Sequence, residues 1–238
     1  MRVDAGRKEV SETWWRKRSG DEWTATYWND DHSPRRDHII DALRSSFGEP
    51  TSVLDVGCNA GPNLRRIAAE FPDCGLSGFD INQEAIDAAT RRFSELGIPV
   101  ELSVGSFYDV LPRIATDSID VVLSSYALAY VPPANLAEVL GALVRIARRG
   151  LVLAEPMAFG GTRSAGVLNV PWHDWRHDYG AALTAMGVCP DGVAIFDVPV
   201  PGAQDSGLLV ADLRLSGRPP LEGSAQALGE TDARRPSE

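Results

Sequence analysis

The chain is short of positive charge. Its 23 Lys and Arg residues face 33 Asp and Glu, a formal net charge of −10 with a pI near 4.9. Nucleic-acid binding needs a basic face to neutralise phosphates, so DNA and RNA are excluded as partners for the bulk of the chain. Arg16-Lys17-Arg18 and Arg35-Arg36 are local exceptions, read as solvated faces or small-anion contacts. Cysteine is scarce as well. Cys58, Cys74 and Cys189 are odd in number and lack ligand spacing, which argues against a disulfide framework and against a zinc site, so no metal is expected. No apolar run reaches the ~18 residues that cross a bilayer, and Met1 to Glu9 lacks the apolar segment of a signal peptide. A cytoplasmic, reducing location with no membrane partner is the expectation.

What remains is ordinary for a globular protein: 238 residues, 44% hydrophobic and 24% charged, enough for one α/β domain with a sizeable core and appended segments. Residues 1–35 are polar but hold Trp14, Trp15, Trp23, Tyr27 and Trp28, too aromatic for a disordered tail, and read as a cap. Residues 36–215 form the domain. Residues 216–238 have no aromatics and many Gly, Pro and charged residues, and read as a disordered tail.

The domain is organised around Val53 to Asn63. Val53, Leu54 and Val56 make an apolar run too short for a helix, bounded by Pro50 and Gly57, and read as a strand buried on both faces. A turn with Gly57, Asn59 and Gly61 follows, and a helix starts near Pro62 with Leu64, Ile67, Ala68 and Phe71 on one face. Glycine, and to a lesser degree Asn, tolerates positive φ, so a ligand can approach the turn closely. The N–H groups and dipole of the new helix then favour a nucleotide-like cofactor. The dinucleotide spacing Gly-x-Gly-x-x-Gly fails, because Asn59 and Pro62 stand at its second and third glycines, whereas Asp-x-Gly-x-x-x-Gly is met by Asp55, Gly57 and Gly61.

Further strands and helices alternate along the chain. A helix is predicted from Arg36 to Phe47, ended by Gly48-Glu49-Pro50. Leu76 to Ile81 is the second strand, and Asp80 at its end can accept hydrogen bonds from ribose hydroxyls, with a helix cap as its competing role. Gln83 to Leu96 is a helix stopped by Gly97, and Val100 to Val104 a strand followed by Gly105-Ser106-Phe107-Tyr108. Ser118 to Tyr126 holds the fourth strand with Ser124 near its end, Leu136 to Arg149 a helix stopped by Arg148-Arg149-Gly150, and Leu151 to Ala154 the fifth strand. Such alternation means a doubly wound, mostly parallel sheet with helices on both faces. Gly192–Val200 and Gly207–Leu215 close it as an antiparallel hairpin, for seven strands. Residues 157–171 read as a loop on the ligand side. In Trp172 to Tyr179, His173 and His177 are candidate general bases, while Asp178 reads as a helix cap and Trp175 and Tyr179 as packing on the sheet.

Asp55-Val56-Gly57-Cys58-Asn59-Ala60-Gly61, with Asn59 for the usual central glycine, resembles the first motif of the class I S-adenosylmethionine-dependent methyltransferases, and Asp120 to Ser125 resembles their fourth. The resemblance spans Thr51 to Leu215. It implies S-adenosyl-L-methionine as cofactor, with Asp55 and Gly57, Cys58, Asn59 and Gly61 at the methionine part, Asp80 at the ribose, Ile81, Ser106 and Phe107 at the adenine, and Ser124 in the fourth motif. It implies further that the opening segment caps cofactor and substrate, which puts Tyr27 with the cofactor residues. The (Asn/Asp)-Pro-Pro-Tyr signature of enzymes that methylate bases and amides is absent after the fourth strand. With an acidic chain and an aromatic-rich opening segment, a small-molecule methyl acceptor is expected, with O-methylation preferred and N- or C-methylation next, and a monomer or homodimer. The competing readings are an NAD-dependent oxidoreductase and a cofactor-binding partner protein without catalysis.

Overall fold

The structure, a computed structural model, describes residues 11–29, 33–158, 175–197 and 206–215. The 157–171 loop beyond residue 158, His173, the hairpin loop and the tail at 216–238 lie outside the described residues.

Seven strands form one sheet in the order β3-β2-β1-β4-β5-β7-β6. They are β1 (Ser52–Val56), β2 (Gly75–Asp80), β3 (Val100–Val104), β4 (Ile119–Ser125), β5 (Ala147–Pro156), β6 (Val193–Asp197) and β7 (Ser206–Asp212). The first five run parallel, whereas β7 lies antiparallel between β5 and β6, pairing Leu153 with Leu209 and Ile195 with Leu209. A nicotinamide-binding doubly wound sheet ends in a parallel sixth strand instead.

Alternation along the strands sends side chains to two cores. Leu54, Val56, Val122, Leu151 and Leu153 pack on one face with Leu140 and Leu143 of helix α7 (Pro133–Ile146) and with Tyr179 and Leu183 of α8 (Tyr179–Ala185). Val53, Val121, Leu123 and Val152 face the other way, against α3 (Pro34–Ala42), α4 (Pro62–Glu70) and α5 (Gln83–Leu96) through Ile39, Leu64, Ile67 and Phe93. Each buried aliphatic side chain contributes roughly 1.5–3 kcal/mol relative to exposure, so the first strand's apolar run belongs between two helical layers.

Helix α5 has the predicted bounds, and Gly97 stops it with φ of 66°. The helix expected from Arg36 starts at Pro34 and ends in a wider π turn, Leu43–Phe47, before Gly48 at φ 66°. The boundary after α7 differs more. Arg148 and Arg149 do not end that helix. They open β5, because Arg148 reaches the buried Asp120 of β4 (Nε to Oδ1 2.8 Å) and Arg149 lies 3.6 Å from its Oδ2. Phe107–Val110, which follows β3, forms a short helix, α6.

The opening segment folds as α1 (residues 11–17) and α2 (Asp21–Asn29). Its aromatics do pack: Trp28 is buried with its ring 5.1 Å from that of Phe93, and the Arg18 guanidinium stands 4.8 Å from the Trp23 ring and 5.0 Å from that of Trp14. Among the described residues no helix is long and apolar enough to cross a membrane.

Candidate functional site

The loops at the carboxyl ends of β1 to β4 surround a cavity of about 400 Å³. That is where the crevice of an open parallel sheet lies. The turn after β1 forms its floor. Asn59 sits at φ 52°, the left-handed conformation that lets it replace glycine, and its Oδ1 accepts from Ala60 N at 2.6 Å. Gly57 (φ 75°) and Gly61 (φ 83°) lie close to neighbours: an added Cβ would come within 2.4 Å of Ala127 Cβ and 2.5 Å of the Phe93 ring, respectively. So Gly57 fits the turn to the loop after β4, and Gly61 fits it to α5.

Asp80 is on the cavity wall, 9% exposed, at the end of β2. Its Oδ2 accepts from Asn59 N (2.8 Å) and its Oδ1 from Asn82 N (2.9 Å). A carboxylate has about four acceptor positions, so capacity for a ligand's hydroxyls remains. Burial pushes its pKa up and the backbone donors at Asn82, Asn59 and Ile81 pull back. Asp80 does not cap α5. That role falls to Asn82, whose Oδ1 accepts from Ala85 N at 2.8 Å.

Of the residues expected to bind cofactor, Tyr27, Gly57, Cys58, Asn59, Asp80, Ile81, Ser106 and Phe107 line this one cavity. Ser106 also spends its hydroxyl on Asp109 Oδ2 (2.7 Å), capping α6. Three others lie behind the wall. Gly61 is the N-cap of α4. Ser124 is fully buried and donates to Glu155 Oε1 at 2.6 Å. Asp55 is fully buried, with Asn63 Nδ2 3.2 Å from its Oδ2. Burial raises the Asp55 carboxyl to about 7; the Asn63 bond opposes this, Asp80 adds to it, and the nearby Arg36 guanidinium opposes it.

His177 does not line the cavity. It is 5% exposed, and its Nε2 lies 2.9 Å from the carbonyl oxygen of Val131, itself a wall residue. The ring supports the wall from behind. Asp178 caps α8 through Ala181 N (2.9 Å), and Trp175 and Tyr179 are buried, as expected of them. Sequence reasoning did not assign Glu12 and Trp15 of α1, nor Asn63, Ser125, Tyr126 and Tyr130, all of which line the cavity. Arg35 and Arg36, singled out as a possible anion contact, line it too, with the Arg35 guanidinium 4.4 Å above the Tyr126 ring. Tyr126 holds φ at 56°; a bulky side chain there is uncommon and fits a functional loop.

A family model described as "Methyltransferase domain" matches residues 53–150, which hold β1 through the start of β5 and most of the cavity. The match covers less than half of the chain and likens these residues to a methyltransferase domain. The domain is 27% identical over 141 residues to dTDP-3-amino-3,4,6-trideoxy-alpha-D-glucopyranose N,N-dimethyltransferase of Streptomyces venezuelae, covering 57% of this chain and 55% of that protein. It is 30% identical over 76 residues to release factor glutamine methyltransferase of Neisseria gonorrhoeae, 32% of this chain and 28% of that one. The chain thus spans between about a quarter and just over half of the curated relatives it matches. Its fold is like that of geranyl diphosphate methyltransferase in complex with GPP and sinefungin, with a TM-score of 0.68 at 15% identity over 87% of this chain and 99% of that one. At that identity the likeness concerns the fold.

Proposed function

We propose that the chain is an S-adenosylmethionine-dependent methyltransferase acting on a small molecule, with oxygen the preferred acceptor atom. The observation that carries this is Asp80 facing the same cavity as the turn at Gly57 to Asn59. A ribose acid and an amino-acid cradle thereby share one space. The antiparallel β7 and the failed dinucleotide spacing weigh against the nicotinamide reading.

The donors and acceptors present fit such a cofactor. Asp55 Oδ1, Asn63 Oδ1 and Ser125 Oγ are buried without a hydrogen-bond partner, and Asn63 and Ser125 line the cavity. Unmade bonds of this kind cost roughly 1–3 kcal/mol each, and a ligand with an ammonium and a carboxylate would satisfy those of Asn63 and Ser125 on the cavity wall. Arg36 supplies positive charge at that end, Asp80 the ribose acceptor, and Ile81, Phe107 and Phe79 apolar walls for a base. When bound, the cofactor supplies a methyl group already activated by its sulfonium. What the chain must add is alignment, since holding reacting atoms ~3–3.5 Å apart and in line removes several kcal/mol of the barrier. Trp15, Tyr108, Tyr126 and Tyr130 offer flat, amphipathic surfaces for an acceptor of modest size, and the cavity volume of about 400 Å³ is in the small-molecule range.

Calorimetry with S-adenosylmethionine and with NAD tests the reading, and heat with the second alone would overturn it. Turnover over a panel of phenols, carboxylic acids and amines, followed by release of S-adenosylhomocysteine, identifies the acceptor. The carbon-13 shift of a labelled transferred methyl then tells an O-methyl from an N-methyl product, the latter overturning the preference for oxygen.

A further inference from the structure

The cavity is closed on one side by α1 and α2, through Ser11, Glu12, Trp15 and Tyr27. How that strap is fastened can be read bond by bond. Arg16 and Asp109 approach to 3.7 Å, but both are about half exposed, and such pairs contribute little. Gly20 N donates to Glu84 Oε1 at 2.6 Å, and Arg92 Nη1 to Thr24 O at 3.0 Å, from side chains that remain partly exposed. A fully buried polar anchor is Asn82, 1% exposed. Its Nδ2 donates to Trp15 O at 2.6 Å and to Arg18 O at 2.8 Å, oxygens at the end of α1. Trp15 O also accepts from Arg18 N at 3.4 Å.

The other polar atoms of the same residue reach the cavity wall and α5. Asn82 N donates to Asp80 Oδ1 (2.9 Å), and Asn82 Oδ1 accepts from Ala85 N (2.8 Å). One buried residue therefore touches the acid on the cavity wall through its backbone N–H, and the first turn of α5 and the strap through its side-chain amide. Trp15, whose carbonyl it holds, stacks edge-on to Tyr130 across the cavity wall with ring centroids 5.3 Å apart.

We propose that Asn82 is a positioning residue: it latches the strap and couples its seating to occupancy of the Asp80 end of the cavity. The coupling half rests on the function proposed above; the latch itself does not. A ligand hydroxyl donating to Asp80 draws on the carboxylate that accepts from the Asn82 backbone N–H, and the buried Asn82 side chain carries the resulting order to Trp15 and Arg18. Without the two amide N–H donors the strap keeps the packing of Trp28 on Phe93 and its exposed polar contacts, but loses the buried bonds to Trp15 O and Arg18 O.

The test uses the full chain and substitutions that keep the cap. Asn82→Ser and Asn82→Asp both retain an oxygen for Ala85 N, yet a carboxylate has no donor and Ser has one O–H on a shorter side chain, so neither replaces the pair of bonds to Trp15 O and Arg18 O. Hydrogen exchange is followed at residues 11–29 and in the first turn of α5, with and without S-adenosylhomocysteine. Without ligand, exchange in the strap is expected to rise about 10-fold in both variants, as the loss of two ordinary hydrogen bonds allows, with the first turn of α5 unchanged. With ligand, the wild-type strap gains protection and the variant straps do not. Strap exchange equal to wild type in both variants overturns the latch. If α5 loosens in the Ser variant, the Asp variant decides, being the stronger cap: a loose strap over an intact α5 supports the latch, a wild-type strap overturns it. Ligand that protects the variant strap as much as the wild-type strap overturns the coupling. Ligand that does not bind wild type at all refutes the coupling together with the proposed function, and leaves the latch to the ligand-free comparison.

Discussion

The Ser124 hydroxyl donates to Oε1 of Glu155 at 2.6 Å, joining the ends of two adjacent strands inside the protein. The same oxygen accepts Ala127 N (3.0 Å) and Leu128 N (3.1 Å), and Oε2 accepts Ala129 N (3.2 Å). A fully buried carboxylate thus holds the loop that carries Tyr126, Ala127 and Tyr130 to the cavity. Four donors and no acceptor suit the anion; burial pushes its pKa up and the four bonds pull back.

Glu155→Gln should therefore be costly despite its equal size. An amide NH2 in place of one oxygen faces N–H donors, which breaks one or more bonds and leaves buried groups unpaired, a loss of about 1–3 kcal/mol. Urea unfolding should show the midpoint falling with an unchanged slope. A wild-type midpoint would mean that the loop is held by something else.

Asp55 predicts how stability varies with pH. Its carboxyl stands at about 7 in the folded chain against an ordinary 3.8, so the native state binds more protons than the unfolded state between those values. Stability from this group falls as pH rises through the window and is flat above it, for a total of order 4 kcal/mol at ~1.4 kcal/mol per unit. Asp80 and Glu155 are shifted the same way and add to the slope. Asp55→Asn should match wild type near pH 4 and exceed it at pH 8, as measured by denaturant midpoints. Parallel pH profiles for the two proteins would contradict the raised value.

At the opposite end of the central strands, near the start of β4, Asp120 has the opposite sign. Burial raises its pKa, but bonds from Thr51 Oγ1 (2.6 Å), Thr51 N (2.8 Å) and Arg148 outweigh that and bring it to about 2. Its contribution is present above pH ~4 and lost as pH falls toward 2. Asp120→Asn strips charge from a bonded, buried group and should cost about 2–3 kcal/mol, less than the 3–5 of a fully buried pair because Arg148 is half exposed. Asp120 does not line the cavity, so ligand affinity measured by calorimetry should be unchanged. Equal losses of stability and affinity would mean that the network reaches the site.

These cases show what could be read in advance. Val53 to Val56 and Gln83 to Gly97 were legible because a short apolar run or a periodic one is bracketed by residues with one conformational meaning. The α7–β5 boundary was not, since Ile146-Ala147 is apolar throughout and Arg148-Arg149-Gly150 suits a helix end. Gly150 in fact sits in a strand, where a Cβ would lie 2.3 Å from Ala211 O and 2.5 Å from the Phe47 ring, partners about sixty and a hundred positions away. Asp80 and the Gly57 turn were legible from local spacing. Glu155 and Asn82 were not, because their roles lie in bonds spanning 26 to 31 and 64 to 67 positions. His177 was a plausible base by residue type; which way its ring faces depends on Val131, 46 positions earlier.

Gly57 offers a test in which strain and contact can be separated. At φ 75° any side chain costs roughly 1 kcal/mol. In addition, its Cβ would lie 2.4 Å from Ala127 Cβ, and Ala127 cannot retreat while its N–H is bound to Glu155. Gly57→Ala alone should then lose about 2–4 kcal/mol, in the range of an overpacked core, and weaken cofactor binding because the turn and the loop are forced apart. Ala127→Gly alone removes one methyl and should cost about 1 kcal/mol. Combined, the two substitutions restore the space and leave only the backbone terms. The double variant should be more stable than Gly57→Ala, with a coupling of about 1–2 kcal/mol in denaturant midpoints, and cofactor affinity should recover with it. Additive losses would mean that the turn and the loop do not meet at this pair, and the cavity floor would have to be held in another way.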